Sequence, residues 1–118
     1  MKSVVEFMKE YFELRAEWSR SAEKAWDVER YGTGYRVVAE GDEEEVVVIE
    51  PVESGAQVIT SSRLKNHDRR WRTRYQLAPA EESWQIARVE NECSICEGTG
   101  KMNASECEVC KGTGWRPL

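Results

Sequence analysis

Residues 69–77 read RRWRTRYQL. Trp71, Thr73, Tyr75 and Leu77 fall on one side of this stretch, and Arg70, Arg72, Arg74 and Gln76 on the other. A period of two marks a strand with one apolar face and one solvated face. Pro79 and the pair Glu81-Glu82 make a turn, and residues 84–89, WQIARV, form a returning strand. Trp84 and Ile86 share a face, but Val89 is out of phase with them. A bulge or a strand end is therefore expected near Arg88.

Residues 57–62 and the β-branched run 46–49 are further strands, separated by turns at Pro51 and Gly55. Tyr35–Ala39 is a short first strand. The acidic run from Glu40 to Glu45, broken by Gly41, reads as a solvated turn. Upstream the period changes. Val4, Phe7, Met8, Tyr11, Leu14, Trp18, Ala22 and Ala25 follow steps of three and four with no Gly or Pro. That predicts one long amphipathic helix over residues 3–29. Ser3 and Glu6 have capping-box spacing at its start, and Gly32 and Gly34 end it. A helix followed by hairpins is an α+β pattern, the helix packing on one face of an antiparallel sheet. Trp18, Trp71, Tyr75, Trp84 and Ile86 are expected in or near the core.

The pair of stretches 70–77 and 83–90 resembles the closing hairpin of the nuclear transport factor 2-like (cystatin-like cone) superfamily. There the penultimate strand carries basic and aromatic residues, and the last opens on a Trp with an Ile two residues on. The resemblance spans residues 1–91 and implies a strongly curved sheet wrapped about the helix. It also implies either an adaptor or immunity-type protein, or a small enzyme or ligand binder with a pocket in the cone. Many members carry two or three helices where this chain offers one.

Residues 93–100, CSICEGTG, and 107–114, CEVCKGTG, form an internal repeat. The spacing C-x2-C, ten residues, C-x2-C supplies four thiolates, the number a tetrahedral Zn²⁺ takes at about 2.3 Å. Two residues between cysteines let one tight knuckle present both sulfurs. Gly98, Gly100, Gly112 and Gly114 permit the left-handed backbone that turns amides toward the sulfurs. The expectation is one structural zinc per chain, held by Cys93, Cys96, Cys107 and Cys110, in a separate module of residues 92–118. Two disulfides, a redox-active pair or iron are the competing readings. Four thiolates leave a metal no open position, which argues against a catalytic role.

The repeat resembles the CxxCxGxG units of the DnaJ chaperones and of the small bacterial anti-TRAP protein. Zinc ligation by the four cysteines carries over from that resemblance, as does a role in protein contacts. The His-Pro-Asp tripeptide of J-domains is absent, because His67, the single histidine, lies in the polar turn Asn66-His67-Asp68.

The chain has 118 residues, a net charge of −5 and charged residues at 33%. An acidic protein is a poor sequence-independent nucleic-acid binder, since such binding rests on phosphate neutralisation. Charges interrupt every apolar run, so neither a signal peptide nor a membrane span is read. A reducing cytoplasmic setting, which favours metal over disulfide, is the expectation. No Gly-rich phosphate loop or nucleophile elbow is present. The function expected is therefore non-catalytic binding of another protein or of a second copy, with a nucleic acid as a further alternative. Ile95, Met102, Val109 and Trp115 on the module are the candidate contact residues. Arg70, Arg72 and Arg74 are a second candidate surface.

Overall fold

The computed structural model describes residues 1–20, 31–32 and 39–117. Helix α1 spans Val4–Arg20. Its start is capped as the sequence predicts: the Ser3 hydroxyl accepts from the Glu6 amide at 3.1 Å, and the Ser3 carbonyl from the Phe7 amide at 3.0 Å. The remainder of the expected helical span, with Trp26, lies outside the described residues, as does most of the expected strand at 35–39. No described helix is long and apolar enough to cross a membrane.

Among the described residues, five strands form one antiparallel sheet in the order β1-β2-β3-β4-β7. They are β1 Glu43–Val52, β2 Gly55–Arg63, β3 Arg70–Ala80, β4 Ser83–Glu92 and β7 Trp115–Pro117. A small hairpin, β5 Lys101–Met102 and β6 Ser105–Glu106, stands apart. The architecture is α+β, as the change of period implied. The alternation in residues 69–77 holds: Thr73, Tyr75 and Leu77 are buried with Val58 and Ala56 of β2 and with Ile86 and Val89 of β4. Phe7, Met8 and Tyr11 of α1 and Tyr31 complete this core. Trp18 and Trp71 are half-buried.

Ile86 and Val89 reach the same core because β4 carries the expected irregularity. Leu77 pairs with Ile86 and Gln76 with Arg88, so Ala87 is the extra residue. A second irregularity lies between Val46 and Val48 on β1. Gly32 has φ 83° and bridges to Ile86, where a Cβ would collide with the Ile86 carbonyl. Only glycine fits that approach.

One expectation is overturned. The acidic run is not simply a solvated turn: Glu43, Glu44 and Glu45 open β1. Alternation then turns Glu44 inward, and its side chain is 3% exposed. It meets Arg15 of α1 at 2.7 Å, and accepts from Tyr75 and Thr60, each at 2.6 Å. The Arg15 guanidinium also packs against the rings of Tyr11 and Phe12. A cation, an anion and two hydroxyls thus clamp the helix to three strands.

Burial raises the pKa of Tyr11, and burial together with the Glu44 charge pushes that of Tyr75 well above the usual value. The folded state therefore holds both phenolic protons more tightly than the unfolded chain does. Their contribution to stability is fully present below about pH 10, the ordinary tyrosine value, and is lost as pH rises through the raised values. At any alkaline pH where tyrosine ionises, native protein should show less phenolate absorbance than unfolded protein, and the missing part should appear on unfolding. Native protein that matches the unfolded chain in phenolate absorbance would contradict the clamp.

Trp84 packs against the core and donates its indole N–H to the Lys2 carbonyl at 2.8 Å. It is half-buried, so Trp84→Ala is expected at the low end of the usual range, about 3 kcal/mol. Urea unfolding measures it, and a loss below about 0.5 kcal/mol, the surface norm, would place the side chain wrongly.

Candidate metal centre

The cysteine module begins where β4 ends. Cys93 follows Glu92 directly, and its amide donates to the Gly114 carbonyl at 2.8 Å. Cys107, the equivalent residue of the second repeat, donates to the Gly100 carbonyl at 2.9 Å. Each repeat thus closes on the other. Within a knuckle the Gly98 amide donates to Cys93 O and the Thr99 amide to Cys96 O, both at 3.1 Å. Gly112 and Thr113 repeat the pattern on Cys107 and Cys110 at 3.1 and 3.2 Å. The hairpin β5–β6, turned at Asn103 with φ 58°, carries the chain from one knuckle to the other.

The glycines have distinct tasks. Gly98, Gly100, Gly112 and Gly114 all have φ between 78° and 83°. Gly100 and Gly114 also lie where the two knuckles touch: a Cβ on Gly100 would strike the Gly112 carbonyl, and one on Gly114 the Gly98 carbonyl. Their amides point at sulfur, Gly100 N–H to Cys96 Sγ and Gly114 N–H to Cys110 Sγ, each at 3.3 Å. Such bonds favour the thiolate.

Thr99 and Thr113 had no assigned role in the sequence reading. Their hydroxyls donate to the carbonyls of Cys96 at 2.7 Å and Cys110 at 2.8 Å, and so fix each knuckle from behind. The signal was present in the repeat, since both units read Gly-Thr-Gly.

All four cysteines are buried and none is disulfide-bonded. Their sulfurs lie within 4.8 Å of one another. Sulfurs at the corners of a tetrahedron with Zn–S bonds of about 2.3 Å would be about 3.8 Å apart. The separations of Cys93 from Cys107, 4.0 Å, and of Cys96 from Cys110, 3.6 Å, bracket that value. The charge balance points the same way. Burial works against a charge on Cys110, yet the Gly114 amide and its sulfur neighbours bring it down to about 6. For Cys107 the Cys110 amide favours the thiolate, but burial and the surrounding thiols outweigh it and push the group up. Four adjacent sulfurs ionise together only around a cation. The cluster can hold a metal ion.

The module is tied into the sheet. After the second knuckle, Trp115, Arg116 and Pro117 pair with Glu92, Asn91 and Glu90 of β4. The Trp115 ring lies under two guanidiniums, Arg72 at 5.2 Å and Arg74 at 4.6 Å. Those arginines also face carboxylates. Arg74 meets Glu90 at 2.6 Å and Arg72 meets Glu92 at 3.3 Å, while Arg70 lies 3.3 Å from Glu43. β3 is thus a basic strand answered by acids of β4 and, beyond β2, of β1. Ile95, Met102 and Val109 are exposed on the module, between 42% and 50%. His67 is exposed in its turn.

The buried acid that sequence reasoning did not find, Glu44, has both oxygens engaged: Arg15 holds one, Thr60 and Tyr75 the other. That arrangement suits a structural clamp better than a general base, which needs a free lone pair facing substrate. No family model, no curated protein and no solved structure matches this chain.

Proposed function

We propose that this is a non-catalytic binding protein whose C-terminal module is organised by one structural zinc ion on Cys93, Cys96, Cys107 and Cys110. The observation that carries the reading is the sulfur geometry: four buried thiols lie within 4.8 Å of one another, braced by amides, and a tetrahedral zinc on four thiolates would keep no position for substrate or water. The likeness of the repeat to the DnaJ and anti-TRAP units supports zinc over other thiophilic metals and supports a role in protein contacts.

The contact surface is the outer side of the knuckles. Ile95 and Val109 occupy equivalent positions in the two repeats, and both stand in solvent with Met102. A metal-braced turn loses little conformational freedom on binding, so apolar side chains presented this way are effective anchors. Trp115 serves a different purpose, docking the module on the arginine strand. The nucleic-acid alternative is weakened by the carboxylates that answer Arg70, Arg72 and Arg74.

The test pairs zinc content with association. The Ile95→Ser/Val109→Ser double variant should keep about one zinc per chain, because neither side chain touches the sulfurs' bracing. It should lose the partner, or the self-association, that wild-type protein shows by cross-linking and light scattering. A double variant with unchanged partners and unchanged oligomeric state would contradict this surface.

A further inference from the structure

The junction between sheet and module contains a cleft of about 520 Å³. That is within the range of small-molecule sites, roughly 300–1,000 Å³. Its walls come from three places. Arg69 lies just before β3 and Trp71 at its start, Asn91 and Glu92 lie at the end of β4, and Ser94, Arg116 and Pro117 belong to the module.

The chemistry of this cleft runs against that of the chain. The protein carries −5 overall, yet two guanidiniums line this one place. The one acid among its described lining residues, Glu92, is neutralised by Arg72 at 3.3 Å on the outer face. Arg69 has only a loose contact, 3.9 Å to Glu97, with both groups more than half exposed. A pair of that kind contributes little and is readily exchanged for a better anion. Arg116 is exposed and lies opposite Asn91 in the β4–β7 register. Asn91 already accepts through its side-chain oxygen from the Thr73 hydroxyl at 2.9 Å, which leaves its amide N–H groups for another acceptor. The Ser94 hydroxyl is exposed at the same mouth. Trp71 adds a broad aromatic wall.

We infer that this cleft binds a small molecule carrying an oxyanion on a flat ring, the oxyanion held between Arg69 and Arg116 and the ring against Trp71. Guanidiniums match carboxylate and phosphate oxygens with paired N–H donors, and an indole offers a stacking surface for a planar group. The inference rests on the metal reading in one respect. Ser94, Arg116 and Pro117 are placed by the knuckles, so the site exists only while the module is closed.

Isothermal titration of the full-length, metal-loaded protein tests it, with zinc measured on every sample. AMP supplies a phosphate joined through a ribose to a flat ring, and benzoate a carboxylate directly on one. Adenosine lacks the oxyanion and inorganic phosphate lacks the ring. At least one of the two ring-bearing anions should bind at least tenfold more tightly than adenosine and inorganic phosphate, and which one does names the oxyanion. Arg69→Gln and Arg116→Gln, both exposed and far from the core, should each weaken it tenfold or more at unchanged zinc content. No binding of either anion up to millimolar concentration by zinc-loaded protein would overturn the cleft as a site and leave the metal reading standing. So would an affinity indifferent to both substitutions, or binding by oligonucleotides alone that climbs with their length. Protein that takes up no zinc at all would instead contradict the metal reading.

Discussion

Cys107→Ser should remove the metal and melt the module, because little else holds residues 93–117 in place. Among the described residues the buried cluster there consists of the four cysteines themselves, and the remaining order comes from turns, two very short hairpin strands and the three-residue pairing of β7 with β4. Apparent zinc affinities in small cysteine-rich modules amount to about 10–16 kcal/mol, and losing one of four ligands forfeits much of that. The consequence should spread along one path. Cys93 N–H donates to Gly114 O, and Gly114 leads directly into β7. An open module therefore lets Trp115–Pro117 leave the edge of β4. Hydrogen exchange should show protection lost by about 100-fold or more across 93–117 and at the β4 residues paired with β7. Strands β1 to β3 and the helix should keep theirs, since the apolar core lies among them and the inner face of β4. Protection that survives at residues 93–117 in the metal-free variant would mean the backbone bonds suffice alone.

The second large effect is expected at Glu44. Glu44→Ala leaves Arg15, 3% exposed, as an unpaired buried cation, and leaves the Tyr75 and Thr60 hydroxyls without their acceptor. Breaking one side of a buried pair typically costs about 3–5 kcal/mol, whereas replacing both sides by apolar groups can be near neutral. Arg15→Met combined with Glu44→Leu should therefore recover most of the loss. Chemical denaturation of the two singles and the double gives the coupling directly. Additive losses would show that Arg15 and Glu44 act independently and that the clamp is not a unit.

The clamp also shows where the sequence was legible and where it was not. Alternation in RRWRTRYQL and the out-of-phase Val89 were enough for β3, β4 and the extra residue at Ala87, because a half-buried strand writes its period into side-chain type. The cysteine spacing was enough for the cluster, because a metal's coordination number constrains both chemistry and distance. Glu44 was missed because three consecutive glutamates look solvated, and composition hides which one turns inward. The missing clue lay on the helix. Phe7, Tyr11 and Arg15 recur every four residues, so Arg15 continues a buried stripe and requires an inward anion somewhere on the sheet. Trp115 was ambiguous for a similar reason. Its resting place depends on Arg72 and Arg74 following one another along the outer face of β3, more than 40 residues earlier in the chain and with β4 in between, a non-local fact with no local pattern.

The direct test of the central claim is the metal itself. Protein purified under reducing, oxygen-free conditions should contain one zinc per chain. X-ray absorption should report four sulfur neighbours at about 2.3 Å and no nitrogen or oxygen in the first shell. The four thiols should react with a thiol reagent only after a chelator is added. Stoichiometric protein with no bound metal, with a mixed sulfur and oxygen shell, or with two disulfides formed under those conditions would contradict a zinc-organised module.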